Sequence, residues 1–118
     1  GFDDTIRSLE SGQIQSVDPA NRSICDAVVT PSPGEITFGI NSRTLAGGFA
    51  VSDELVLQVM ATAFKHLKLV IEPGGAVALA AALDNRLPGD TGCAVAVASG
   101  GNVDPQMFER ALAAGPLF

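Results

Sequence analysis

Two side chains in this sequence stand where a ligand could use them. Ser99 follows the apolar run Cys93-Ala94-Val95-Ala96-Val97-Ala98 and opens the turn Ser99-Gly100-Gly101-Asn102-Val103-Asp104. Small and branched apolar residues without polar alternation read as a strand covered on both faces. A hydroxyl at the carboxyl end of such a strand occupies the place where open α/β sheets bind ligands. Glu72 is a lone carboxylate between Leu69-Val70-Ile71 and Pro73-Gly74-Gly75. It is either a helix-start carboxylate held by backbone amides or an acid facing a pocket. Lys65 and His66 have no acid or nucleophile one turn away to tune them, so they read as a solvated helix face rather than general bases.

Several chemistries are excluded by pattern. The Ser-Gly-Gly-Asn turn is neither a GxGxxG fingerprint nor a phosphate loop with Gly-Lys-Ser/Thr. The Gly-x-Ser-x-Gly order of a nucleophile elbow is missing. One histidine and two distant cysteines, Cys25 and Cys93, cannot form a local zinc site. Taken alone, the glycines of the turn make a tight connection and nothing more.

The elements that would position these residues alternate helix with short strand. Asp3 and Asp4 read as caps for a helix over Thr5–Glu10, stopped by Gly12. Residues 11–23 are turn-rich, with a short strand expected at Gln13–Val17. Ser23–Val29 is a short helix or strand, and a helix follows from Gly34 to Leu45. Phe49–Ser52 reads as a strand. Ser52-Asp53-Glu54 then starts a helix whose apolar face runs through Leu55, Val56, Val59, Met60, Ala63, Phe64 and Leu67, with Gln58, Thr62, Lys65 and His66 opposite. Pro73 suits the first turn of an alanine-rich helix able to approach its neighbours closely. A polar loop over Asp84–Gly92 carries Pro88-Gly89-Asp90. Asp104-Pro105 opens the last helix, with Met107, Phe108, Ala111 and Leu112 inward and Gly115-Pro116 as its stop. The fold class is α/β.

At 118 residues the chain suits one domain, and 47% hydrophobic residues exclude disorder. A net charge of −6 and a pI of about 4.4 argue against nucleic acid, which needs a basic face. There is neither Trp nor Tyr for stacking. Both cysteines are expected as buried free thiols, which favours a cytosolic compartment. No signal peptide or membrane-length apolar run is present, so no membrane partner is expected. The start Gly1-Phe2-Asp3-Asp4 reads as the interior of a longer protein.

Ile71-Glu72-Pro73-Gly74-Gly75-Ala76-Val77-Ala78-Leu79-Ala80-Ala81, followed by the apolar run and Ser99-Gly100-Gly101-Asn102-Val103-Asp104, closely resembles the C-terminal segment of the threonine/serine dehydratase and serine racemase family. These are pyridoxal-phosphate enzymes of fold type II. Phe2-Asp3-Asp4 and Ser23-Ile24-Cys25-Asp26-Ala27 resemble family stretches in the same order, so the resemblance covers nearly the whole chain. It implies the C-terminal portion of a three-layer α/β/α catalytic domain, residues 1–118 as a single segment, with no regulatory amino-acid-binding domain.

The resemblance also implies roles. Ser99 matches the serine that hydrogen-bonds the pyridine nitrogen of pyridoxal 5'-phosphate, Glu72 a glutamate near the ring, and Ala27 a backbone approach to the pyridoxal; Gly100 keeps that approach open. Asp4 and the carbonyl of Phe2 match part of a divalent-cation site suited to Mg2+ or Ca2+. No catalytic residue is expected within the segment, because the family's Schiff-base lysine, substrate loop and phosphate cup lie upstream. The implied reaction is loss of water from a β-hydroxy amino acid to give a 2-oxo acid and ammonia. Racemisation of serine and a non-catalytic α/β interaction module are the alternatives. Partners would be an amino-acid substrate, the N-terminal portion of the enzyme and further copies in a homo-oligomer; the fragment alone is expected to be inactive.

Overall fold

The computed structural model describes residues 1–84, 86–89 and 92–118, and these carry five α-helices. The expected turn at Pro88-Gly89-Asp90 lies partly outside the described residues. Two compact units divide the chain: residues 1–23 with 29–50, and residues 24–28 with 51–118.

In the first unit, α1 spans Asp4–Ser11 and ends on Gly12, whose φ of 71° is the left-handed turn that glycine adopts without a Cβ clash. The aspartate cap expected at its start is absent: Asp3 makes no side-chain cap bond and instead pairs with Arg7 Nε at 3.2 Å. Helix α2 spans Glu35–Thr44 and buries none of its residues, so Ile36 and Ile40 are exposed. The strand expected at Gln13–Val17 does not form. The Val17 amide donates to the Pro31 carbonyl at 2.9 Å, and one such bond is no ladder.

The second unit holds the core. Helix α3, Asp53–Thr62, begins as its sequence dictates, with Ser52 Oγ accepting from the Leu55 amide at 3.2 Å. Val56, Val59, Met60 and Ala63 are fully buried against α4 (Pro73–Leu83) and α5 (Pro105–Ala114), with Ala76, Ala80 and Ala111 opposite them. Alanines at these positions let the helix backbones come close. Helix α5 is capped by Asp104 Oδ1, which accepts from the Met107 amide at 2.9 Å.

The apolar face expected to continue to Leu67 stops at Ala63. There α3 gives way to a π turn, Ala63–Leu67, which ends on Lys68 in the left-handed region at φ 60°. A π turn holds an extra residue, so side chains beyond it rotate off the original face. Phe64 and Leu67 are exposed in consequence, although Phe64 still meets Phe108 edge to face at 5.3 Å. Thr62, expected on the polar face, is buried: its hydroxyl donates to Gln58 O and accepts from the Leu117 amide. Leu112 is exposed, not inward.

Neither Phe49–Ser52 nor Cys93–Ala98 forms a strand in the structure. The second run is also not covered: Val95 is 90% and Val97 68% exposed, and Cys93 is an exposed free thiol while Cys25 is buried. An apolar composition marks a segment for burial, but a strand exists only where a neighbour supplies hydrogen-bond partners.

Candidate functional site

The site forms where three pieces of the second unit meet the first turn of α4. Pro73 occupies the opening position of that helix, where its missing N–H costs no hydrogen bond. Glu72 stands just before it as the capping residue, yet its carboxylate makes no cap bond. Of the two roles the sequence leaves open for Glu72, the cap does not form, and Glu72 is among the residues lining a cavity of about 300 Å3.

A short 3₁₀ turn, Asp26–Val28, brings Ala27 to this cavity. The Ile24 amide donates to Asp53 Oδ2 at 3.0 Å and ties the approach of that turn to the start of α3. Ala27 then rests on Gly74, where an added methyl group would lie 2.8 Å from Ala27 Cβ. On the other side the Glu72 amide donates to the Gly100 carbonyl at 3.0 Å. A methyl on Gly100 would collide with Glu72 Oε1, and one on Gly101 would stand 2.6 Å from Val70 O. The absence of side chains at 74, 100 and 101 is therefore what allows this packing.

Of the residues expected to share a site, Ala27 and Glu72 line the cavity together, while Gly100 meets Glu72 through its carbonyl and is not among the lining residues. Ser99 is exposed at the start of the same turn and is not among the residues lining the cavity. Residues not expected to take part in a site line it as well: Asp26, Asn102 and Met107, with Asp104. Gly74 and Gly75 carried a usable signal, since two glycines inside a helix oppose helix propensity and call for a packing reason. Met107 reads from its spacing only as inward-facing and Asp26 carries no signal, because tertiary packing alone places them at the cavity.

Asp26, Glu72 and Asp104 make the wall acidic, and among the described residues no Lys or Arg lines it. One oxygen of Asp104 is committed to capping α5. Three basic residues of the second unit are engaged elsewhere: Lys65 Nζ donates to Phe118 O at 3.2 Å, Lys68 Nζ to Lys65 O at 2.7 Å, and His66 Nε2 lies 3.0 Å from Phe118 O. Such a wall can orient a ligand through carboxylates and the Asn102 amide, but its described residues include no nucleophile paired with a base.

In the first unit Asp4 is buried at 4% exposure, and its Oδ2 has no hydrogen-bond partner among the described residues. Phe2 lines a hollow of about 330 Å3 with Val17, Pro19 and Asn21, and Asp4 is not part of that lining. Among the described residues, no group of three or more His, Cys, Asp and Glu side chains is placed to hold a metal ion. None of the described helices is long and apolar enough to cross a membrane.

No family model matches the chain. It is 34% identical over 115 residues to a serine racemase of Dictyostelium discoideum, covering 95% of this chain and 35% of that protein. An L-threonine ammonia-lyase of Geobacter sulfurreducens is 33% identical over 111 residues, covering 91% of this chain and 27% of the relative. Among solved structures, a threonine deaminase from T.th. aligns with a TM-score of 0.79 and 40% identity over 87% of this chain and 36% of that one. The chain thus spans about a third of the length of the proteins it matches. The fold expectation is met at that level: a helical piece that aligns with part of larger fold type II enzymes.

Proposed function

We propose that this chain, which belongs to the fold type II family of threonine/serine dehydratases and serine racemases, supplies one wall of the active site of an ammonia-lyase. The observation that carries the reading is that Ala27 and Glu72 line one cavity at the first turn of α4 and that Gly100, next to the exposed Ser99, is bonded to the Glu72 amide. In a pyridoxal-phosphate enzyme such a wall would face the cofactor, which when bound supplies the electron sink for deprotonation at an α-carbon.

The residues present fit that group. Glycine backbone at 74 and 100 admits close packing without side-chain bulk. The Ser99 hydroxyl would donate to an unprotonated ring nitrogen, where a carboxylate would instead hold that nitrogen protonated. Glu72 would stand near the ring, and Ala27 and Gly100 would offer backbone to it. The lysine that carries the cofactor and the phosphate cup would come from the remainder of the enzyme; Lys65 and Lys68, engaged at carbonyl oxygens, do not take that part. The net reaction converts a β-hydroxy amino acid to a 2-oxo acid and ammonia.

Racemisation is the second reading, favoured by the Dictyostelium serine racemase at 34% identity. A bound divalent cation, Mg2+ or Ca2+, belongs to the same proposal. The unpartnered Oδ2 of Asp4 supports it as one oxygen ligand, with the Phe2 carbonyl as another and further ligands from outside residues 1–118. The proposal extends to residues 1–118 as one segment of the catalytic domain in a cytoplasmic homo-oligomer.

The test uses the full-length enzyme. Wild type is expected to show visible cofactor absorbance and to form a 2-oxo acid from a β-hydroxy amino acid. Ser99→Ala should lower turnover and shift the band; an unchanged band and rate would remove Ser99 from the site. Chiral analysis of serine after incubation separates a racemase from a lyase.

A further inference from the structure

The first turn of α4 and the turn at 99–102 are joined through backbone. The Glu72 amide donates to the Gly100 carbonyl, and Gly75 faces the same peptide. A methyl group added at Gly75 would stand 2.5 Å from Gly100 O and 2.9 Å from Gly100 N. Nonbonded heavy atoms settle at about 3.5 Å or more, so an alanine there pushes the peptide back by roughly 1 Å. Both atoms are backbone, so no side-chain rotation relieves the contact. Gly100 in turn abuts the Glu72 carboxylate, which couples the position of the turn to that of the acid. Helix propensity alone favours alanine at 75, which leaves close packing as the use of glycine there.

Resting on the roles given above to Ser99 and Glu72, we propose that Gly75 is a positioning residue: its missing side chain sets the separation between the Ser99-Gly100 turn and the Glu72 carboxylate. It acts on the reaction through Ser99, without touching substrate.

The experiment is a double-mutant cycle in the full-length holoenzyme, with wild type, Gly75→Ala, Ser99→Ala and the double variant. Gly75→Ala should retain cofactor absorbance, shift the band and the pH profile in the same direction as Ser99→Ala, and lower kcat/KM on the order of 100-fold, the scale of a 1 Å misplacement. Once Ser99 is alanine, adding Gly75→Ala should cost about twofold or less, because two changes acting through one contact are not additive. Equal fold-losses in both backgrounds with an unshifted band would overturn the proposal and leave Gly75 a packing residue. If Gly75→Ala does not fold, hydrogen exchange in wild-type holoenzyme decides: the Glu72 amide should be as protected as the interior amides of α4, and exchange at the rate of a free helix-start amide overturns the coupling. Absence of cofactor absorbance in wild type would instead mark failure of the functional reading itself.

Discussion

The carboxyl of Asp3 lies below its ordinary value of 3.8, first through a hydrogen bond from backbone and then through Arg7, whose Nε stands 3.2 Å away. A depressed carboxylate contributes stability that is fully present above the unfolded value and is lost as pH falls through the folded one. Carbon-detected NMR titration should therefore find Asp3 below 3.8, and Arg7→Ala should move it upward; a midpoint indifferent to Arg7 would refute the pairing. Thr62 is a second residue whose role its type did not reveal. A threonine on the expected polar stripe of α3 looked solvated, but the returning tail covers it and presents the Leu117 amide to its hydroxyl at 2.9 Å. Thr62→Val removes that acceptor while keeping the shape, and should destabilise by about 1–3 kcal/mol in denaturant titrations. Thr62→Ser should retain most of that stability.

The starts of α3 and α5 are legible because they are set by neighbours in sequence. Ser52 and Asp104 cap α3 and α5 through their own side chains, so Ser52→Ala and Asp104→Ala should each cost about 1 kcal/mol. Asp3 makes no cap bond and only an exposed ion pair, so Asp3→Ala should cost less than either of these substitutions. Thermal unfolding of the three variants side by side checks the ranking. The interior of an element was less legible. The apolar stripe of α3 holds through Met60 and Ala63 and ends at Phe64, where the helix changes from α to π periodicity. Nothing in Ala63-Phe64-Lys65-His66-Leu67 announces an i to i+5 hydrogen bond, which the Lys68 amide makes to Ala63 O. Met60→Ala should cost about 2–5 kcal/mol, since Met60 is fully buried between three helices.

Across the whole molecule, side chains suited to burial lie exposed: Ile36 and Ile40 on α2, and Val95 and Val97 in the 93–98 run. In residues 1–118 alone, Val97→Asp should change stability by no more than about 0.5 kcal/mol, as for other exposed positions. In the full-length enzyme, where the apolar composition of this run predicts a covered strand, the same substitution should abolish cofactor absorbance or soluble expression; equal tolerance in both would show that the run stays exposed. What the sequence by itself determined is local or motif-borne: the capping serine and aspartate, the proline at the start of α4, and the Glu72-Pro73 and Ser99-Gly100-Gly101-Asn102 pieces that carry the family resemblance. These depend on residue chemistry within a turn or two, so no distant contact can overrule them. Tertiary structure alone decided that Glu72 lines a cavity rather than capping α4, that Asp26, Asn102 and Met107 share that cavity, and that the Cys93–Ala98 run pairs with no strand among the described residues. Each of those outcomes depends on which segment arrives from elsewhere to offer a hydrogen bond or cover a face, and residue type carries no record of that arrival.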